Sequence, residues 1–135
     1  MELERVTITI EKELLDGLDA LIERTGLGNR SEAIRDLVRR RLVEESVASD
    51  RKSAVGTVTL VYDHSRRDRP DRLVDAGHDH HHEILSTLHV HLDEHHCLEV
   101  VAMRGRAGEL RHIASHLLGM KGVLHGELVM TSIEV

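Results

Sequence analysis

The chain has 135 residues, 40% of them hydrophobic and 31% charged, with a net charge of −6. That fits one ordinary domain or two small ones, and it excludes a disordered chain. No run approaches the roughly 18 consecutive apolar residues that a spanning helix needs. The acidic balance excludes a broad basic field, so any contact with nucleic acid has to come from locally placed arginines and backbone groups.

Tyr62 is the only aromatic residue, so the cores are aliphatic and thin, and thin cores call for oligomerisation. The single cysteine, Cys97, excludes an intrachain disulfide and leaves a thiol for metal or redox chemistry. Residues 1–13 lack the basic start and apolar run of a secretory leader, which sets the expectation of a cytoplasmic protein. Histidine is the anomaly: nine of the 12 lie between His64 and His96.

Taken in chain order, Val6, Ile8 and Ile10 alternate with Arg5, Thr7, Thr9 and Glu11, which predicts a short half-buried strand. Leu14, Leu15, Leu18, Leu21 and Ile22 form an apolar stripe at helical spacing. Gly26 is placed to cap that helix at its C-terminus. Asn29 and Glu32 then form a capping-box pattern for a second helix, whose stripe is Ala33, Ile34, Leu37, Val38 and Leu42. The lone strand has no backbone partner within this segment. Pairing with the same strand of a second copy solves this and predicts a homodimer.

Residues 44–53 are polar, and their later part reads as a linker. Residues 56–63 predict a strand and 69–85 a helix, with Pro70 in its first turn. Strands at 86–92 and 97–103 follow, then a helix with Ala107, Leu110, Ile113, Ala114, Leu117 and Leu118 as its stripe, then a strand over 123–133. The fold class is therefore α+β. A β-α-α module (residues 1–48) precedes a β-α-β-β-α-β domain of the ferredoxin-like split type (residues 54–135).

His89 and His91 are two apart on a strand and share a face, with Leu88, Val90 and Leu92 expected on the other, toward the core. A four-residue turn pairs Leu92 with Cys97 and returns the thiol near His91. One hairpin then supplies three donors, and the run His78, Asp79, His80, His81, His82 offers a fourth. A thiolate with imidazoles suits Ni, Cu, Co or Zn better than Mg or Ca, and spacing alone does not choose among them. No oxyanion motif, nucleotide loop or paired-carboxylate site is present in the sequence, so the chain does not read as an enzyme or as a binder of an organic substrate. A metal-storage protein would explain the histidines but not the first 48 residues.

RVTITI (5–10), NRSEAIRD (29–36), TLHVH (87–91), CLEV (97–100) and GVLHG (122–126) together resemble the nickel-responsive regulators of the ribbon-helix-helix class. The resemblance runs nearly end to end. It implies an ACT-like second domain that assembles as a homotetramer, and a repressor that binds a palindromic double-stranded DNA operator when loaded with one Ni²⁺ per chain. Nickel uptake genes are the implied targets. The positions matching the nickel ligands are His89, His91 and Cys97, with His78 supplied by a neighbouring copy; Asp79 interrupts the usual histidine run and leaves His80 as the competing choice. Glu32 and Asp36 match a second, potassium-like cation site at the domain interface. Arg5, Thr7 and Thr9 form a ribbon face suited to the major groove. Asn29 and Arg30 open a helix that can hold a phosphate. By resemblance Arg66 and Arg67 touch the DNA backbone. The same architecture tuned to Co, Cu or Zn is the alternative.

Overall fold

The computed structural model describes residues 1–65 and 82–134. The chain divides into two units, Met1–Arg41 and Leu42–Val135.

In the first unit α1 spans Lys12–Thr25 and stops at Gly26. Gly26 takes φ 71°, a left-handed conformation that glycine adopts without a Cβ penalty, and its N–H donates to the Ile22 carbonyl at 3.0 Å. Helix α2 follows over Arg30–Ala48, crossing the division between the units. Asn29 Oδ1 accepts the Glu32 backbone N–H at 2.9 Å, as the capping pattern predicts. The reciprocal half of the box is replaced, because the Glu32 carboxylate pairs with Arg35. Residues 1–11 form no strand within the single chain, and Val6 and Ile8 are exposed. The predicted strand at 5–10 has no ladder partner here, for the reason given above: none exists within this segment. Of the described residues in this unit only Ala33 is buried, so both helical stripes lack the cover a core requires.

The second unit is a four-stranded antiparallel sheet: β1 (Ser53–Asp63), β2 (Ile84–His91), β3 (His96–Arg106) and β4 (Val123–Thr131), in spatial order β2-β3-β1-β4. Helix α3 (Ala107–Leu118) covers one face. The core lies between them. Ala54, Val58, Leu60 and Tyr62 come from β1, Cys97, Val101 and Met103 from β3, and Ala107, Leu110, Ile113, Ala114 and Leu117 from α3.

Three expectations are corrected. Ile84 and Leu85 open β2 rather than close a helix: Arg104 N–H donates to the Glu83 carbonyl at 2.8 Å, extending the ladder to this point. The rest of the expected 69–85 helix lies outside the described residues, apart from a turn at 82–83. The hairpin pairs His91, not Leu92, with Cys97. Leu88, Val90 and Leu92 do not face the core; they are 59%, 37% and 52% exposed. The α3-covered face of β3 carries Cys97, Val101 and Met103, so the pleat puts their register partners on β2, His91 and Thr87 among them, on that same face.

Leu110 is wholly buried in the first turn of α3. Leu110→Ala is expected to destabilise the protein by about 2–5 kcal/mol, read as a lowered urea midpoint at unchanged slope. A loss below about 1 kcal/mol would contradict this packing of helix on sheet.

Candidate metal centre

The β2–β3 hairpin positions the site. Its turn is built on Asp93, whose Oδ1 accepts the backbone N–H groups of His95 and His96, each at 2.9 Å. Asp93 also takes the His96 Nδ1–H, at 2.8 Å on Oδ2. The His95 backbone donor, with the His96 side chain next, lowers the Asp93 carboxyl to about 2. It is therefore an acceptor throughout the neutral range.

From that turn, His91 lies opposite Cys97 and His89 opposite Glu99. His91 Nδ1 is 3.4 Å from the Cys97 sulfur, and the thiol is fully buried. A third donor, His64, arrives from the end of β1. The potential ligand atoms of His64, His91 and Cys97 all lie within 4.8 Å of one another. Two contacts hold His64 there. Its backbone N–H donates to the His95 carbonyl at 2.8 Å, and its ring meets that of His91 edge-on with centroids 5.7 Å apart. Around it, the Ser65 hydroxyl and backbone N–H donate to Asp63 Oδ1 at 2.6 and 2.9 Å, the hydroxyl first in lowering the Asp63 carboxyl.

His89 stands beside this trio, its ring centroid 4.9 Å from that of His91. Its Nδ1–H donates to Glu99 Oε2 at 2.8 Å, and the Tyr62 hydroxyl lies 3.1 Å from the same nitrogen. Glu99 is only 7% exposed, and a carboxylate at that depth is costly without a donor. The carboxylate fixes the tautomer and leaves Nε2 as the lone-pair donor, the arrangement that orients metal-bound imidazoles. A buried thiol with imidazoles in reach, one of them backed by a carboxylate, fits a late first-row transition ion. His64 was missed in the sequence; His78, His80, Arg66 and Arg67 lie outside the described residues.

In the first unit, Arg5, Thr7 and Thr9 are exposed. Arg30 is held by Asp19, with Nε on Oδ1 and Nη2 on Oδ2, both at 2.9 Å, and these hydrogen bonds lower the Asp19 carboxyl. The fork ties α2 to α1. Glu32 is paired with Arg35, and Asp36 accepts from Arg40 Nε at 2.8 Å, so both acidic candidates for a second cation already carry a cationic partner.

Two family models match this chain: a ribbon-helix-helix protein of the copG family over residues 4–45, and the NikR C terminal nickel binding domain over residues 55–131. A protein of Trichlorobacter lovleyi named as a nickel-responsive regulator is 51% identical over 131 residues, 97% of this chain and 94% of its own length. One of Geobacter metallireducens, named likewise, is 53% identical over 131 residues with the same coverage. One of Pyrococcus abyssi is 48% identical over 132 residues, 98% of this chain and 96% of its own length.

Glu99→Gln keeps the shape of the residue behind His89 but removes its charge. It is expected to weaken transition-metal binding about 10–100-fold in a chelator competition, with the thiolate-to-metal absorption retained. Unchanged affinity would detach Glu99 and His89 from the site.

Proposed function

The chain belongs to the nickel-responsive regulators, and from that premise we propose that it is a repressor that binds a palindromic operator when loaded with one Ni²⁺ per chain. The observation that carries this reading is the β2–β3 register, which gathers His91 and the buried Cys97 thiol with His89 alongside. In this reading His89, His91 and Cys97 supply three ligands and His78 of a second copy the fourth. One thiolate with three imidazoles suits the square-planar preference of Ni²⁺. Nickel, when bound, supplies a cross-link between copies.

The rest is the work of the chain's own residues. Residues 5–10 of two copies pair as a ribbon that presents Arg5, Thr7 and Thr9 to base edges in the major groove. The start of α2, near Asn29 and Arg30, approaches the phosphate backbone, as do Arg66 and Arg67. The far face of the sheet, with Leu88, Val90 and Val129 exposed, supports assembly of the second units into a homotetramer. No helix among the described residues is long and apolar enough to cross a membrane. The role is that of a cytoplasmic transcription factor controlling nickel uptake genes, not an enzyme.

One observation favours a second reading. His64, His91 and Cys97 form a three-donor set within one chain, and such a set suits tetrahedral Zn²⁺ or Cu⁺. His64→Ala separates the two: it leaves nickel-dependent operator binding intact if nickel is the effector, and abolishes metal-dependent binding if the trio is the sensing site.

Titration of operator binding with Ni²⁺ tests the main reading. The wild type is expected to gain at least roughly 10-fold in affinity, within the usual range of allosteric coupling, and Cys97→Ala to lose that gain together with the thiolate-to-nickel charge-transfer band. Equal binding with and without nickel in the wild type would sink the sensing role. For the ribbon, Arg5→Ala is expected to cost about 1–3 kcal/mol on the operator and much less on unrelated DNA.

A further inference from the structure

The segment between α2 and β1 reads in the sequence as a linker, yet its backbone is closely held. Helix α2 has no basic residue in its own last turn. Its terminal carbonyls are met instead by Arg111, on the second turn of α3. Arg111 Nη1 donates to the Val47 carbonyl at 2.7 Å in a part-buried contact, and Nη2 to the Ala48 carbonyl at 3.3 Å. The same guanidinium grips Asp50 Oδ1, at 2.7 Å from Nη2 and 3.2 Å from Nε.

The first turn of α3 answers in the other direction. Ala107 N–H donates to the Lys52 carbonyl at 2.9 Å, and Gly108 N–H to the Asp50 carbonyl at 3.1 Å. A Cβ at Gly108 would stand 2.8 Å from Asp50 Cβ, so only glycine lets the segment approach this closely. Two helix ends therefore satisfy their unpaired groups in one place, with a cation at the negative end of α2. Val47 also packs against the core of the second unit. All these residues belong to that unit. Strand β3, which begins at His96 next to Cys97, ends at Arg106 and hands directly to this joint.

We propose that Arg111 is the coupling residue of the regulator: by closing the end of α2 onto α3 it turns residues 47–52 into a fixed joint through which metal binding biases the DNA-binding module. The exposed Asp50 pair contributes little by itself, since solvent-exposed ion pairs are weak. The fork on the α2 carbonyls is the working part, because its bond to the Val47 carbonyl is part-buried and closes the end of the helix. The hydrogen bonds of Arg111 run to Val47, Ala48 and Asp50, none of them a metal donor, so it is a positioning residue. Its loss changes the exchange between two binding events rather than either site.

The inference rests on nickel-dependent operator binding, and the experiment keeps the two apart. Full-length wild type, Arg111→Met and Arg111→Lys are compared in nickel titrations and in operator binding with and without nickel. Arg111→Met is expected to bind one nickel per chain with wild-type absorption and affinity in the absence of DNA. Its ratio of operator affinities, nickel-loaded over metal-free, falls at least about 5-fold, and Arg111→Lys, which reaches a single carbonyl, falls between. A wild-type ratio in Arg111→Met overturns the coupling role. If the wild type itself shows no nickel dependence, it is the proposed function that fails. A measurement on the wild type alone guards against a variant that does not fold: trypsin is expected to cut at Arg51 and Lys52 at least about 10-fold more slowly in the native protein than in a synthetic peptide of residues 46–54. Cleavage at the peptide's rate means the joint is not fixed, and overturns the proposal.

Discussion

His91 stands directly across from Cys97 in the β2–β3 hairpin, and a slip of one residue there would dismantle the site. Side chains alternate faces with period 2, so slipping the pairing moves the thiol or both imidazoles to the opposite surface of the sheet. Two features hold the register. The Asp93 carboxylate takes two backbone N–H groups and one imidazole, which fixes the turn where the hairpin begins. At the other side of β3, β1 is locked by Val58, Leu60 and Tyr62 beneath α3. A slip of β3 would therefore lift Val101 and Met103 out of the core they share with Leu60, Tyr62, Leu110, Ile113 and Leu117.

Placing metal donors on the covered face rather than the open one has a consequence for Glu99. It sits in the same row as Cys97 and Val101, where a carboxylate without donors would be expensive. Nδ1 of His89 meets it at 2.8 Å, and in a neutral imidazole that donates there Nε2 is the nitrogen left to bind a metal. The buried acid and the oriented base are thus one solution to one problem.

Each unit is incomplete as a single chain in its own way. The first has two apolar helical stripes and an unpaired extended segment, with only Ala33 buried among its described residues. The second has a well-filled core on one face of its sheet and exposed leucine and valine on the other. Backbone pairing and apolar cover are different needs. They support two separate interfaces with further copies, and hence the tetramer proposed for this chain rather than a simple dimer.

What could be read in the sequence follows the range of the forces involved. Gly26 and Asn29 end and start their helices through contacts within four residues, and both are where local rules put them. The succession of strands and the last helix along the second domain was legible from local periodicity. The orientation of β2 was not. Leu88, Val90 and Leu92 make an apolar face beside a histidine face, and hydrophobicity alone assigns the former to the core. The covered face is chosen by β3, whose Cys97, Val101 and Met103 meet α3, and that choice is made from outside β2. His64 stayed hidden for a related reason. It reaches His91 only because the sheet order sets β1 beside β3 and β3 beside β2, a long-range fact absent from any local pattern. The linker shows the same limit. Its polar composition is that of a tether, but polar backbone can equally be held by two helix ends, and Arg111 lies far along the chain from the carbonyls it meets.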